Sequence, residues 1–412
     1  MKIGIDLRAL QTGHKYRGIG EVAKQVTDRI LTYAVGDTAR DIEFIFYEYD
    51  DDDPKEMLNL PKGLKYQVVK LGRMPENAPD RTKSEKLKDN LKALYGNPIA
   101  NTRLSDVFLQ YDYEFGVPKD TKTYVVKHDL IPYVFWDKYF ESAWVPFKNK
   151  AARTTLRTLF ANYKYKRVLK RGLRRAHKII AVSRSTKNDI IEYFNVADKK
   201  VKVVHLGVDL KPAKTGNAAQ SKLPTKPYLL FVGAGDARRR VDDLVAAFNN
   251  LKADGYDIQL ALVGENFPSP ENIPNQPTRK AVMESSYIGD ILTLGYVDDK
   301  TKQELYKNAL AYVYPTRYEG FGIPVLESML LKCPLITYKN SSIPEVAREY
   351  ALFANKWEDI VVQVKKLFDM SNKDREQLVD RAYEHASQFT WDKTAHSIYD
   401  ELVVGAKHRG DQ

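Results

Sequence analysis

The first half of the chain alternates short apolar runs with segments whose apolar residues recur at helical spacing. The run KIGIDLRAL predicts a strand, and it is followed by the glycine loop YRGIG, residues 16–20, and by the helical pattern EVAKQVTDRILTYA. Further strands are predicted in IEFIFYEY, YQVVKLG, SDVFLQ and TYVVKHD. This alternation predicts a parallel sheet with helices on both faces.

The same pattern starts again after a segment rich in Lys, Pro, Ala and Gly. That segment, KPAKTGNAAQSKLPTKP at 211–227, is the predicted linker. Beyond it lie predicted strands in YLLFVG, IQLALVG, ILTLGYV, AYVYPT and CPLITY. We therefore expect two doubly wound α/β domains, 1–212 and 228–388. Ligands bind at the carboxyl ends of the strands in such sheets, so we expect the two domains to face each other across one ligand-binding cleft.

Length and composition agree with two domains that each have a core. The chain has 412 residues, of which 43% are hydrophobic. It has no run of about 18 apolar residues, and Asp6 and Arg8 interrupt the N-terminal apolar stretch, so neither a membrane span nor a signal peptide is predicted. The single cysteine, Cys333, cannot form an internal disulfide, and HExxH and CxxC motifs are absent. We expect a soluble, cytoplasmic protein.

The net charge of +11 is concentrated in one segment. Residues 142–188 contain fourteen Lys or Arg residues and no acid, interleaved with aromatic residues. The part RTTLRTLFANYKYKRVLKRGLRRAHKII predicts mostly a helix with a cationic face. Three interpretations stay open for it: a solvated helix face, a surface for anionic lipid headgroups, or a nucleic-acid patch. No nucleic-acid motif supports the third, and a nucleic-acid partner is not expected.

The stretch YPTRYEGFGIPVLES, residues 314–328, sets two carboxylates eight positions apart, Glu319 and Glu327. Between them lie two glycines and Pro324, where an amphipathic helix is predicted to start because the fixed φ of proline suits the first helical turn. The exposed N–H groups at such a helix start attract anions. Two acids placed here can stabilise the helix or bind the hydroxyl groups of a ligand.

Several motifs together resemble the retaining glycosyltransferases of family four, which have the GT-B fold and transfer a sugar from a nucleotide diphosphate donor. The motifs are YRGIG, HDLIP, KIIAVSRSTKNDI, FVGAGDARRR, LGYV, EGFGIPVLES, SSIPEV and FTWDKTA. The resemblance implies an acceptor-binding first domain and a nucleotide-sugar-binding second domain. It also implies that a terminal helix, at about 392–408, packs back on the first domain with Trp391 as its anchor.

The resemblance assigns the two acids different roles. Glu319 contacts hydroxyl groups of the transferred sugar, and Glu327 binds the ribose hydroxyls of the nucleotide. An ionised carboxylate is a pure acceptor and can take two hydrogen bonds from a vicinal diol. The backbone N–H groups of Phe321, Gly322 and Ile323 lie at the helix start, where sugar hydroxyls or phosphate oxygens can meet them.

For the diphosphate, the family usually has an Arg-Lys pair after the first strand of the second domain. Here Arg238, Arg239 and Arg240 hold that place, which departs from the common pattern. Arginine keeps the charge and adds bidentate geometry, so we expect leaving-group stabilisation to survive. Arg239 aligns with the usual lysine and is the preferred candidate, with Arg238 or Arg240 assisting.

The remaining candidates come from other parts of the chain. His128 ends the strand TYVVKH, and its family counterpart lies beside the reacting sugar, while Asp129 orients either its ring or the local loop. Gly18 and Gly20 open a helix toward the same cleft, near the donor phosphates or the acceptor. The backbone around Val297 is expected to recognise the base. The acidic run at 50–53 superficially offers a metal-binding DxD but is more typical of a solvated loop.

These expectations add up to a metal-independent, retaining hexosyltransferase with no cofactor besides its UDP- or GDP-linked sugar donor. The predicted acceptor is a glycan, lipid-linked, in polysaccharide or glycoconjugate biosynthesis. The basic segment favours a peripheral position on the inner face of the plasma membrane. Two alternatives stay open: a glycosyltransferase or phosphorylase with a soluble small-molecule acceptor, and a non-catalytic polyanion- or RNA-binding protein on a degenerate GT-B fold.

Overall fold

The computed structural model describes residues 1–16, 18–74, 99, 101–111, 116–135, 152–210 and 223–407. The chain divides into two compact units, Met1–Gly207 with Trp391–Gln412, and Val208–Thr390. Most of the predicted linker, 211–222, lies outside the described residues, as do Arg17 of the glycine loop and residues 142–151 of the basic segment.

The first unit is built on a seven-stranded, all-parallel sheet in the order β3-β2-β1-β4-β5-β6-β7. The strands are β1 Lys2–Asp6, β2 Glu43–Glu48, β3 Lys65–Lys70, β4 Val107–Gln110, β5 Lys122–Lys127, β6 Lys178–Ala181 and β7 Val201–Val203. The helices are α1 Gly18–Gly36, α2 Ile131–Val134, α3 Ala152–Arg175 and α4 Arg184–Phe194.

The central strands of this sheet are buried on both faces, which is why they read as continuous apolar runs. Ile3 and Ile5 are fully buried, and Ile5 pairs with Phe46 of β2 and Leu109 of β4. Because β1 pairs with β2 on one side and β4 on the other, the strand order reverses beside β1, where open sheets of this kind bind ligands.

The second unit has a six-stranded, all-parallel sheet in the order β10-β9-β8-β11-β12-β13. Its strands are β8 Tyr228–Val232, β9 Gln259–Val263, β10 Ile291–Gly295, β11 Ala311–Tyr314, β12 Leu335–Tyr338 and β13 Leu352–Ala354. Its helices are α5 Val241–Ala253, α6 Gln276–Met283, α7 Asp299–Asn308, α8 Ile323–Leu330, α9 Ile343–Ala347, α10 Trp357–Asp369 and α11 Asn372–Ala386.

The predicted class, two doubly wound α/β domains, is confirmed by these two sheets. The order of the second sheet reverses between β8 and β11, so its expected ligand side is the carboxyl edge of those strands. Strands β6, β7 and β13 were not predicted from the sequence: β6 begins within the segment that was predicted to be mostly helical, and β7 and β13 have three residues each, too few to show a periodicity.

The last helix, α12 Trp391–Lys407, belongs to the first unit, where it packs on α1. Trp391 is buried at its first position, and Ile398 and Leu402 are buried further along it. Polar contacts fix its position: the Tyr33 hydroxyl donates to the Asp392 carboxylate at 2.9 Å, and the Tyr399 hydroxyl donates to Asp37 at 3.1 Å. The chain therefore returns to the first unit after it has completed the second.

Candidate active site

The segment that follows β11 brings one buried carboxylate to the reversal point of the second sheet. Tyr314 ends β11, and Glu319 follows five residues later with 8% of its surface exposed. Its Oε1 accepts from the Tyr314 hydroxyl at 2.5 Å, from Thr316 Oγ1 at 3.1 Å and from Arg239 Nε at 3.4 Å. Arg238 Nη1 donates to the same oxygen.

All four of these donors bond to Oε1, and none of them bonds to Oε2, the second carboxylate oxygen of Glu319. No donor of the described residues is found within hydrogen-bonding distance of Oε2. The protein thus fixes the carboxylate through one oxygen and leaves the other available to the hydroxyl groups of a ligand.

The charge of Glu319 is secured by its neighbours. Burial opposes its ionisation, but the positive charges of Arg238 and Arg239 and the Tyr314 hydroxyl outweigh that effect, and the pKa of Glu319 lies below its ordinary value. Burial likewise raises the pKa of the Tyr314 phenol above its ordinary value, so this group stays protonated and donates. Glu319 is therefore an anion at neutral pH, paired with two guanidinium groups.

The loop that carries Glu319 is held by the segment after β12. Ser341 Oγ accepts from the Glu319 backbone N at 2.9 Å, and Ser342 Oγ lies 2.8 Å from the carbonyl oxygens of both Glu319 and Phe321. The Asn340 side chain donates to the Thr316 carbonyl at 2.8 Å. The sequence motif SSIPEV was noted only as a family signature, and its role here is to position the Glu319 loop.

Helix α8 starts next to this carboxylate. Gly322 precedes the helix with a φ of 107°, a left-handed conformation that favours glycine, and Pro324 lies in the first turn. The helix begins at Ile323, one residue before the predicted start. The N–H groups of its first turn have no acceptor within the helix, so this end of α8 presents donors and a positive dipole.

The three consecutive arginines do not share one environment. Arg238 is 7% exposed and also donates to the Tyr318 carbonyl at 3.1 Å, and Arg239 donates to the Ala234 carbonyl at 3.0 Å. Arg240 adopts the left-handed conformation with a φ of 44°, and its side chain pairs with Asp242 at 3.0 Å and with Asp243. The structure thus places Arg238 and Arg239 at Glu319 and turns Arg240 away from it.

Glycines allow the carboxyl ends of three strands to approach closely. A Cβ at Gly264 would lie 2.2 Å from the carbonyl oxygen of Gly233, and Gly264 N donates to the Gly295 carbonyl at 2.8 Å. Gly295 N in turn donates to the Phe267 carbonyl at 2.9 Å. The backbone segments at the ends of β8, β9 and β10 are therefore in direct contact or hydrogen-bonded to one another. Val297 lies two residues after Gly295.

Glu327 lies on α8, in a separate polar group from Glu319. Its carboxylate is 18% exposed and pairs with the Lys302 ammonium at 3.1 Å, which also lies 3.8 Å from Asp299. Sequence reasoning did not foresee this lysine. Lys302 lies 25 residues before Glu327, on another helix, α7, so only the fold could bring the two charges together.

The remaining predicted residues lie in the first unit. His128 follows β5, and its carbonyl oxygen accepts from the Thr186 hydroxyl at 3.3 Å. Asp129 accepts from the Ile131 backbone N at 2.8 Å, so it holds the local loop. Gly18 and Gly20 lie in the first turn of α1, with Gly18 exposed and Gly20 buried.

The acidic run at 50–53 participates in local backbone contacts. Asp53 caps a short 3-10 helix by accepting from the Lys55 backbone N at 2.9 Å, and Asp51 accepts from the Met74 backbone N. Among the residues that the structure describes, no group of three or more His, Cys, Asp or Glu side chains is arranged to hold a metal ion.

Within the cationic segment, Ala152–Arg175 forms helix α3, whose side chains are described from Tyr163 onward. Val168, Leu169 and Leu173 are buried. The exposed positions of the same helix include Lys166, Arg167, Lys170 and Arg174. One face of α3 therefore packs in the core and the opposite face presents cations. In the described part of the chain, no helix is both long and apolar enough to cross a bilayer.

Comparison with known families identifies the family of this chain. The profile described as "Glycosyl transferases group 1" matches residues 214–385, and the one described as "Glycosyltransferase Family 4" matches residues 120–212. The chain belongs to the family-four glycosyltransferases. Both arginines at Glu319 and the start of α8 fall within the first of these matches.

Curated relatives of this glycosyltransferase include two Escherichia coli proteins. The O-antigen chain mannosyltransferase B is 27% identical over 231 residues, 54% of this chain and 60% of that protein. The serotype-specific mannosyltransferase WbdA is 24% identical over 310 residues, 69% of this chain and 34% of that protein. The matched segments thus span less than two thirds of either relative.

A solved structure shows the same fold along the whole length of this glycosyltransferase. The Anabaena protein Alr3699/HepE, in complex with UDP and glucose, superposes with a TM-score of 0.64 at 14% identity. The match covers 98% of this chain and 100% of that one. The fold is therefore GT-B, as the sequence motifs predicted.

Proposed function

We propose that this glycosyltransferase transfers a hexosyl group, with retention of configuration and without a metal ion, from a UDP- or GDP-linked sugar to a glycan acceptor. The observation that carries the proposal is the state of Glu319: an ionised carboxylate fixed through Oε1, with Oε2 available, beside Arg238, Arg239 and the start of α8. The carboxylate suits the hydroxyl groups of a sugar, and the guanidinium groups and the helix start suit its diphosphate.

The donor occupies the carboxyl edge of the second sheet in this proposal. Glu319 Oε2 accepts from hydroxyls of the transferred sugar, and the diphosphate meets Arg239 and the amides of Gly322 and Ile323. Glu327 accepts from the ribose hydroxyls, in exchange with or beside Lys302. The backbone from Gly295 to Val297 lies against the base. That the Anabaena protein with this fold was solved with UDP and glucose supports a nucleotide-sugar donor.

The reaction breaks one bond and forms one on the same face of the sugar. As the bond from the anomeric carbon to the phosphate oxygen breaks, positive charge develops on the carbon, and Arg239 with the α8 amides stabilises the departing phosphate. The acceptor oxygen then bonds to the anomeric carbon, and its proton passes to the departing phosphate oxygen. No separate strong base is required, so His128 and Glu319 act by positioning the sugar.

The acceptor is proposed to be a lipid-linked glycan at the cytoplasmic face of the membrane. Two observations support this choice: the curated relatives include an O-antigen chain mannosyltransferase, and α3 presents exposed cations opposite a buried apolar face. Anionic headgroups attract such a face by about 1 kcal/mol per Lys or Arg.

Transfer is tested with purified protein, a panel of UDP- and GDP-sugars and a glycan acceptor, with and without EDTA. We expect release of nucleotide diphosphate that EDTA does not abolish, and NMR of the product is expected to show the donor's anomeric configuration. Glu319→Gln and His128→Ala should each lower turnover by at least tenfold, since one positioning contact is worth about 1.5–3 kcal/mol. Their matched controls are the exposed residues Glu304 and His396, as Glu304→Gln and His396→Ala.

The assay also separates the alternatives. Turnover of both site variants within twofold of the parent would refute the assignment of the site. Release of no nucleotide diphosphate from any donor, together with binding to RNA or polyphosphate, would support a non-catalytic polyanion-binding protein. Turnover with a soluble sugar alone would support a small-molecule acceptor.

Membrane association is tested by co-sedimentation with vesicles of anionic and of neutral lipid. Changing Lys166, Arg167, Lys170 and Arg174 to Gln should weaken binding to the anionic vesicles by about fivefold per charge, and added salt should do the same. Binding that depends on neither salt nor these residues would contradict this part of the proposal.

A further inference from the structure

A cavity lies in the second unit, outside the group around Glu319. Its volume is about 540 Å³, which suits a small molecule. The inner part is lined by Arg240, Asp243 and Tyr338, and the rim by Arg317, Lys339 and Trp357. Neither Glu319 nor Glu327 lines it, so the cavity is separate from the donor site proposed above.

The polar groups of the inner part of the cavity already bond to one another. The Tyr338 hydroxyl donates to Asp243 Oδ2 at 2.7 Å, and Arg240 pairs with Asp242 at 3.0 Å and with Asp243. Arg240 reaches these acids from a left-handed backbone conformation, which costs an L-residue with a side chain on the order of 1 kcal/mol. The charged groups of this part are therefore already paired with one another, and a charged ligand would have to compete with those pairs.

Two cations of the rim, Arg317 and Lys339, have no acid within ion-pairing distance among the described residues. In the described part of the chain, no carboxylate lies within 4 Å of Arg317 or Lys339; Arg317 has no side-chain hydrogen bond there, and Lys339 lies 5.8 Å from the ring centre of Phe353. The third cation, Lys356, is 65% exposed and only 3.9 Å from Glu358. Unbalanced cations at the mouth of a concave surface raise the local concentration of anions.

The same rim offers partners for hydroxyl groups. Asn355 is exposed and lines the cavity, as does Glu358, whose buried Oε2 has no hydrogen-bond donor among the described residues. A small turn of that carboxylate toward a ligand hydroxyl would remove an unsatisfied acceptor. The Trp357 ring also lines the cavity, and aromatic rings pack well against the apolar faces of sugars.

We propose that this cavity binds a phosphorylated monosaccharide. The phosphate group sits between Arg317 and Lys339, and the sugar ring lies against Trp357 with its hydroxyls on Glu358 and Asn355. Charge and hydroxyl recognition are both present at the rim, so neither an unphosphorylated sugar nor an inorganic anion uses all the contacts.

This ligand binds together with the donor nucleotide, because the two sites use different side chains of shared loops. The Arg317 backbone N donates to the Arg238 carbonyl at 2.8 Å, and the Asn340 side chain, which also lines the cavity, holds the Thr316 carbonyl. Occupancy of the cavity therefore acts on the loops that support Glu319.

The test is calorimetric titration of the full chain with glucose 6-phosphate, mannose 6-phosphate and glucose 1-phosphate in saturating UDP. We expect at least one sugar phosphate to bind at one site, more tightly than glucose or inorganic phosphate. Arg317→Gln and Lys339→Gln should each weaken it about tenfold, the loss of one charge-assisted contact. Lys280→Gln, an exposed lysine on α6 outside the cavity, is the matched control and should leave it unchanged.

The substituted arginine and lysine are exposed, so the variants are expected to fold, and their melting temperatures verify this. The titration is carried to a ligand concentration on the order of 1 mM, which detects even a weak site. The proposal is overturned if none of the three sugar phosphates binds up to that concentration. Displacement by UDP, or equal binding by both variants and the parent, would overturn it as well.

Discussion

At the scale of single residues, the chemistry depends on how Glu319 is held. Among the described residues, one of its oxygens takes all four donors to the carboxylate, two of them from largely buried guanidinium groups. Removing one partner of a buried ion pair is costly because the other charge stays in a poorly solvated place. Glu319 therefore has a structural contribution in addition to its proposed contact with the sugar.

We expect Glu319→Gln to lower the free energy of unfolding of the second unit by about 3 kcal/mol at neutral pH. The pKa of Glu319 is lowered in the folded state, so its contribution is complete above the ordinary value of 4.5 and is lost as the pH falls below it. Denaturant titration from pH 7 to pH 3.5 should show the gap between parent and variant closing at the acid end.

The control for this measurement is an exposed ion pair of the same unit. Lys332 and Asp380 lie 2.7 Å apart with about half of each side chain exposed, so Asp380→Asn should cost less than about 1 kcal/mol. A Glu319→Gln variant as stable as the Asp380→Asn variant would show that the buried charges are compensated elsewhere.

Glu327 contrasts with Glu319, because its partner Lys302 is more exposed and has Asp299 nearby. We expect Glu327→Gln to weaken UDP binding about tenfold, the loss of charge-assisted hydrogen bonds to the ribose, with little effect on stability. Titration calorimetry measures the affinity, and Glu304→Gln on α7 serves as the comparison. Unchanged UDP affinity would remove Glu327 from the donor site.

At the scale of elements, the site depends on loops that pack backbone against backbone. The left-handed Arg240 reverses the chain after a 3-10 helix at Ala237–Arg239, and this separates its side chain from those of Arg238 and Arg239. Gly264 lets the ends of β8 and β9 meet, because a Cβ there would collide with the carbonyl oxygen of Gly233. Loop geometry, more than residue type, decides which groups reach Glu319.

We expect Gly264→Ala to destabilise the second unit by about 3 kcal/mol and to weaken UDP binding, because its Cβ would lie 2.2 Å from the Gly233 carbonyl oxygen. Gly264 also has a φ of 141°, which L-residues with side chains rarely adopt. Thermal unfolding with and without UDP measures both effects. Gly289→Ala, where a Cβ meets nothing within 4 Å, should change stability by no more than about 1 kcal/mol.

At the scale of the whole molecule, two units with separate sheets are joined by a chain that leaves the first unit and returns to it as α12. Domains with their own cores need not unfold in one step. A ligand that binds one unit can therefore be recognised because it stabilises that unit more than the other. In the proposed function, the nucleotide is held by the second unit.

We expect UDP at 100 times its Kd to stabilise the second unit by about 2.7 kcal/mol. Hydrogen exchange should show the added protection in the loops after β8, β9 and β11 and in the first turn of α8. Protection that arises instead in the sheet of the first unit would contradict the placement of the donor. Glucose at the same concentration is the control ligand.

The sequence predicted most of the fold, because strands that are buried on both faces appear as continuous apolar runs and helices as apolar residues at helical spacing. It also identified Glu319 and Gly322, since a carboxylate and a glycine beside a helix start are recognisable along the chain. It did not identify Ser341 or Ser342 as supports of Glu319, because their hydrogen bonds join segments that are far apart in sequence.

What the sequence determined by itself is therefore local: two repeats of the strand and helix pattern, the start of α8 within one residue, and the residue types of the site. Only the tertiary structure decided the partners that are distant in sequence, namely Arg238 and Arg239 for Glu319 and Lys302 for Glu327. The physical reason is that periodicity and propensity act over a few residues, whereas ion pairing in a parallel sheet depends on which loops meet at its carboxyl edge.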